Sequence, residues 1–145
     1  MAKNWVLEEF FDLSLGDKRL ENRARRVLNQ LSRNATESVP SSCGGAAETK
    51  AAYRLFDNVH VTPEKIRFPH VEATLSRMRE HRVVLIPQDT TTLNFSTQTQ
   101  RKDAGPTTQE SSKGMYLHCA LAVTPEKICL GAVSVDQWCR EKLQK

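Results

Sequence analysis

Val83-Val84-Leu85-Ile86-Pro87-Gln88-Asp89-Thr90-Thr91-Thr92 is the stretch on which the architecture turns. Four apolar, mostly β-branched residues follow the basic pair His81-Arg82, which predicts a short central strand over 83–86. Pro87 cannot donate to a ladder, which suits the last turn of such a strand. Asp89 then stands where a buried strand surfaces, with the polar run 90–92 beyond it. A carboxylate there could supply an oxygen ligand to Mg²⁺, which takes one or two carboxylates and completes its shell with phosphate and water. The plainer alternative is an acid that satisfies the turn after the strand, and on these residues alone that alternative is the stronger.

Toward the N-terminus the period is helical. Trp5, Val6, Phe10 and Phe11 predict a short first helix ending near Asp12-Leu13, and Ser14-Leu15-Gly16-Asp17 breaks it. Asp17 is the N-cap of a second helix over 18–32, with Leu20, Ala24, Val27, Leu28 and Leu31 as its apolar stripe. Arg19, Arg23 and Arg26 follow at i, i+4, i+7 on another face. Such a ladder can track a phosphate backbone, although a plain solvated helix face carries the same spacing. A polar loop over 33–45 leads to a third helix over 46–57, with Ala47, Ala51, Leu55 and Phe56 inward and Lys50 and Arg54 outward. Thr62-Pro63-Glu64 opens a fourth helix reaching about Met78, with Pro69 the place where it could be interrupted.

Beyond Arg82 the pattern turns to strands. After a polar loop through 101–106, two further strands are expected over 115–123 and 128–135, joined by Thr124-Pro125-Glu126-Lys127 as an antiparallel hairpin. A helix-like segment over 138–145 closes the chain. Three strands leave at least one sheet edge open, so the sheet is expected to continue in a longer parent or to pair with another chain. The fold class is α+β: helices first, strands second.

With 145 residues the chain has the size of one ordinary domain, or of a small helical domain followed by part of another. Its net charge of +4 favours an anionic partner, and Lys18-Arg19, Arg23, Arg25-Arg26 and Arg33 concentrate the positive charge in the first third. No stretch approaches the roughly 18 apolar residues of a membrane span, and no charged-then-apolar leader precedes the first helix, so a cytoplasmic protein is expected. Cys43, Cys119, Cys129 and Cys139 lack C-x-x-C or Cys/His spacing, which argues for reduced, mostly buried thiols rather than zinc or disulfides. Ser42-Cys43-Gly44-Gly45 has no His partner fixed by spacing and is not read as a nucleophile loop.

Five motifs stand in one order: Leu15-Gly16-Asp17-Lys18-Arg19 leading into Arg23; Ala52-Tyr53-Arg54-Leu55-Phe56-Asp57-Asn58; Gln88-Asp89-Thr90-Thr91; Lys113-Gly114-Met115-Tyr116-Leu117-His118; and Gln137-Trp138. In order and spacing they resemble the N-terminal part of the cut-and-paste transposases of the insertion-sequence-four group, which includes the transposon-five enzyme. The resemblance spans nearly the whole chain. It implies a helical transposon-end DNA-binding domain over 1–62, then a linker helix and the first three strands of a ribonuclease-H-like catalytic domain, incomplete, over 63–145. Asp89 falls at the position of the first of three catalytic acids, and the resemblance turns it from a turn acid into an expected metal ligand. In a complete enzyme two Mg²⁺ or Mn²⁺ ions would serve in-line phosphoryl transfer there.

The same resemblance places Arg19, Arg23, Tyr53 and Arg54 in the end-binding region, in contact with double-stranded DNA. Tyr53 on an Ala-rich helix also reads as core, and His118 as a satisfied sheet residue rather than a ligand. The transposon-five member has an Arg where this chain has Asp57, so the inverted repeat recognised should differ. The family's second Asp and its Glu fall beyond Lys145, and Asp103, Glu110, Glu126 and Asp136 do not replace them. Metal binding by this chain alone is therefore expected to be weak or absent, and the chain is expected to be incompetent as a nuclease. A homodimer, a heterodimer with a full-length transposase, and a transposase-derived inhibitor or DNA-binding regulator are the further readings. A helical DNA-binding protein unrelated to transposases, with Asp89 merely structural, would require the ordered motifs to be accidental.

Overall fold

The computed structural model describes residues 4–98, 100–108 and 112–141. The chain divides into two compact units, Met1–Ala73 and Thr74–Lys145.

The first unit is helical: α1 (Trp5–Glu9), α2 (Lys18–Arg33), α3 (Val39–Ser42), α4 (Ala46–Phe56) and the greater part of α5 (Pro63–Met78). Asp17 caps α2 as its sequence foretells, its carboxylate accepting from the backbone N–H groups of Arg19 at 2.7 Å and Leu20 at 3.2 Å. The side of α2 that bears Ala24 and Val27 is buried against α1, α3 and α4, with Val6, Phe10, Leu13, Leu15, Cys43 and Leu55 completing the core. Leu20, Leu28 and Leu31 pack around it, so the expected stripe is the one the fold uses.

The inward face of α4 differs from expectation. Ala52 and Leu55 are buried, whereas Ala47 is exposed, Ala51 is half-buried and Phe56 keeps 46% of its surface. Ala24 and Ala52 are both fully buried, and such small residues allow the α2 and α4 backbones to approach closely. With Ala52 and Leu55 turned into the core, Phe56 faces outward. Within the expected loop over 33–45 the chain forms the single turn α3, whose Ser38 cap accepts from the Ser41 N–H at 3.3 Å. A four-residue turn is too short to give a periodic signal.

Thr62 caps α5, its hydroxyl accepting from the Lys65 N–H at 3.3 Å. Glu64 is held below the usual carboxylate range by its own backbone N–H and then by the Thr62 hydroxyl. Pro69 does not interrupt the helix: it lies buried inside α5, and the boundary between the units falls further on, after Ala73. His70 Nδ1 meets Glu9 Oε1 at 2.6 Å, tying α5 to α1.

The second unit is an antiparallel sheet of β1 (Gln88–Asn94), β2 (Gly105–Pro106), β3 (Lys113–Val123) and β4 (Cys129–Trp138). β3 is its centre and pairs with the other three. The expected hairpin is β3–β4, closed by Thr124, which is buried, donates its N–H to the Ile128 carbonyl, and accepts from the Lys127 N–H at its carbonyl and from the Ile128 N–H at its hydroxyl. Lys127 takes the positive φ of 69° that this turn needs.

The expected buried strand over 83–86 is not there. Val83 and Leu85 are each 52% exposed, and Leu85 makes only an isolated bridge to Val123. The reason lies at Pro87. Leu85 and Val123 exchange both backbone hydrogen bonds, and the same register resumes at Gln88↔Ala120. Between them Leu121 N–H donates to the Pro87 carbonyl at 3.1 Å, and Pro87 has no N–H to return. One ladder thus runs past a missing donor, and the strand proper lies after the proline. The polar run 90–92, which sequence reading places beyond the strand, is itself strand; threonine is β-branched and suits an exposed pleat.

Two other expectations change in this unit. Trp138 ends β4 and stacks on Tyr116 at 5.6 Å between centroids, so no helix begins there; residues 142–145 and Glu110 lie outside the described residues. All four cysteines are free, but only Cys43 is buried; Cys129, which starts β4, and Cys139, just past its end, are exposed. Among the described residues no helix is long and apolar enough to cross a membrane.

Candidate nucleic-acid interface

Starting α2 at a capped Asp17 fixes the phase of everything after it. With Ala24 and Val27 inward, Arg19, Arg23 and Arg26 are disposed along an outer stripe. They line a cleft of about 450 Å³ together with Asn22, Val27 and, from α4, Glu48 and Ala51. Arg26 Nη1 stands 3.5 Å from Glu48 Oε1. The guanidinium groups of Arg19 and Arg23 have no hydrogen-bond or ion-pair partner among the described residues. Three donor-rich forks around one concavity suit phosphate oxygens, which guanidinium groups can meet with paired donors.

Not every arginine of the basic run belongs to this surface. Arg25 turns back to the α1–α2 connection, where Nε donates to the Phe10 carbonyl at 2.8 Å and Nη2 to those of Phe11 at 2.8 Å and Leu13 at 3.2 Å. Sequence spacing could not separate it from Arg26, because both are the same residue type one position apart.

Tyr53 and Arg54 face a different depression, of about 680 Å³, lined also by Pro40, Thr49, Lys50 and Asp57. Tyr53 is 47% exposed and meets Phe56 edge-on, with centroids 6.3 Å apart. Its ring is therefore not part of the core, contrary to the reading of an aromatic on an Ala-rich helix. Within the first unit the fold brings Arg19 and Arg23 together, and separately Tyr53 with Arg54. Glu48 and Asn22 are the cleft residues that sequence reasoning missed. Both are ordinary polar helix residues, and only the packing of α2 on α4 reveals what they border.

Asp89 lies in the second unit, within the ladder rather than at the end of a buried strand. It is exposed, opposite Cys119, and one carboxylate oxygen accepts from the Thr90 N–H at 2.8 Å. His118 is engaged across the strands by the Thr90 hydroxyl at 2.7 Å and the Gln88 side chain at 3.3 Å. Among the described residues no three His, Cys, Asp or Glu side chains gather into a possible metal site. A lone, partly engaged carboxylate does not fit a resident Mg²⁺ or Mn²⁺, so no chemical step is derived through one.

The first unit is thus a capped helical module in which Arg19 and Arg23, without partners among the described residues, stand around one cleft. Residues 2–61 match the family of transposase DNA-binding domains. The match supports a DNA-binding transposase N-terminal region, with DNA as its partner.

Proposed function

We propose that the chain recognises the terminal inverted repeats of a transposon of the insertion-sequence-four group through α2 and α4. Arg19, Arg23 and Arg54 contact phosphates or base edges, and Tyr53 adds an aromatic contact. The observation that carries this reading is the cleft in which Arg19 and Arg23 stand without partners among the described residues, inside the segment that matches transposase DNA-binding domains. Purified protein should retard duplex DNA bearing its element's inverted repeat more strongly than scrambled duplex. Equal binding to both, wholly suppressed by salt, would leave only the counterion-release contribution and refute specific recognition.

On the same reading the sheet unit is the opening of a ribonuclease-H-like domain and Asp89 its first catalytic acid. An antiparallel β1–β3–β4 arrangement with an acid on β1 supports this. The Mg²⁺ or Mn²⁺ chemistry would then require further carboxylates than the described residues gather.

A second reading, a transposase-derived inhibitor, is favoured by one observation. β1 pairs only with β3 among the described residues, and all but one of its residues are exposed, which leaves a strand edge able to accept another chain. Co-expression with a complete transposase tests it: a transposition frequency unchanged over a range of doses would exclude inhibition.

A further inference from the structure

We propose that Glu48 is a built-in competitor for DNA phosphate: its carboxylate holds Arg26 in the free protein and gives it up when a backbone phosphate enters the α2–α4 cleft. The proposal rests on the DNA-binding reading above and adds a device that sets the affinity of that site.

Three arginines line the cleft, but they are not equivalent. Arg19 and Arg23 are without partners among the described residues, whereas Arg26 Nη1 lies 3.5 Å from Glu48 Oε1. Among the described residues Glu48 is the one acid bordering the cleft, so a phosphate there meets one negative charge among three positive ones. The pair is loose and solvated: the Arg26 side chain is 69% exposed and that of Glu48 37%. Exposed pairs of this kind contribute little, and a doubly liganding phosphate can displace a single carboxylate contact at small cost.

Glu48 has a second hold on the site. It lies in the first turn of α4, where a carboxylate compensates the positive end of the helix. Gly45, the N-cap, supplies no side-chain hydrogen bond, so Glu48 is the acid available for that role. Removing it would release Arg26 and unmask the start of α4 in the same place. An acid at this point lowers the affinity of every phosphate contact in the cleft, and with it the binding to arbitrary DNA, without touching residues that read bases.

The test measures binding of the whole chain to a short duplex of arbitrary sequence over a salt series. Four proteins are compared: wild type, Glu48→Gln, Arg26→Gln and the double variant, each checked for folding by its melting curve. Glu48→Gln should tighten binding several-fold at low salt and steepen the slope of log affinity against log salt by about one unit, since one further phosphate is neutralised. The gain should vanish in the double variant, and Arg26→Gln should weaken binding less when Glu48 is intact than when it is introduced together with Glu48→Gln. Glu72→Gln, on α5, is the control for net charge. An equal gain from Glu72→Gln, or a Glu48→Gln gain that survives loss of Arg26, would overturn the competitor role in favour of a general field effect. Wild-type binding with no change on Glu48→Gln would overturn it while leaving the DNA-binding reading intact. Absence of DNA binding by all four folded proteins would overturn both.

Discussion

Arg25 Nε donates to the Phe10 carbonyl oxygen at 2.8 Å, so this arginine closes the end of α1 instead of facing solvent with its neighbour Arg26. Together with the bonds to Phe11 and Leu13 it satisfies three carbonyls of a connection that has no strand or helix to do so.

Arg25→Gln should therefore lower stability by about 1–3 kcal/mol, because partly buried acceptors lose a charged donor. Arg25→Lys should fall almost as far, since an ammonium cannot reproduce the planar fork. Denaturant unfolding of the two variants checks this; full stability of the lysine variant would mean that charge alone mattered.

Arg19→Gln, Arg23→Gln and Arg54→Gln should each weaken DNA binding and reduce the salt slope by roughly one unit if the side chain touches phosphate. A residue that reads a base edge should instead cost about 1–3 kcal/mol at one position of the site and flatten the preference there. Binding titrations against a panel of single-base variants separate the two outcomes, and variants with neither effect would mark a merely solvated face.

Asp89→Ala should leave DNA binding nearly unchanged, because Asp89 stands on the exposed edge strand of the sheet unit and not on the arginine-bearing helices. In a complete enzyme that contains this segment, the same change should abolish strand cleavage while sparing end binding. Cleavage retained at the wild-type rate would remove Asp89 from the chemistry.

Gly131→Ala should destabilise the sheet unit by about 1–3 kcal/mol. Its φ of 141° is one that side chains rarely adopt, and a Cβ there would run into the Thr74 hydroxyl. Hydrogen exchange at Leu130 and Ala132 should report the loss first.

Acidification should loosen the β3–β4 turn. Glu126 is held below the usual carboxylate range by its own backbone N–H and then by the Thr124 hydroxyl. A depressed folded-state value means that the contribution is present above the unfolded value and disappears as pH falls through the lower folded one. Glu126→Gln should therefore make the melting temperature less sensitive to pH below about 4. An identical pH profile for both proteins would dismiss the effect.

The helices are legible in the sequence because their signals are local. Asp17 announces α2, and the stripe from Leu20 to Leu31 gives its buried side, since capping and 3.6-residue periodicity need no partner to be read. The rotation of α4 is not legible. It depends on which residues of α4 enter the shared core, where Ala52 is fully buried, and an alanine carries almost no periodic signal. The strand falls after Pro87 rather than over 83–86 because four apolar residues look buried wherever they occur, while the exposed threonines look like loop. The roles of Arg25 and Glu48 lie beyond sequence reasoning, because each is decided by which carbonyl or guanidinium group tertiary packing delivers.

The spacing of the strands along the chain bears on the order in which the sheet is expected to assemble. β3 and β4 are joined by a tight turn and can zip together from Thr124 outward with little chain to close. β1 must close a much longer segment before Asn94 reaches Gly114, and by the alternation of an antiparallel ladder its first hydrogen-bonded pair beyond Pro87 is Asp89↔Cys119. On loop-closure grounds the strand that carries Asp89 should join after the β3–β4 hairpin, so its amides are expected to exchange faster than those of β3 and β4.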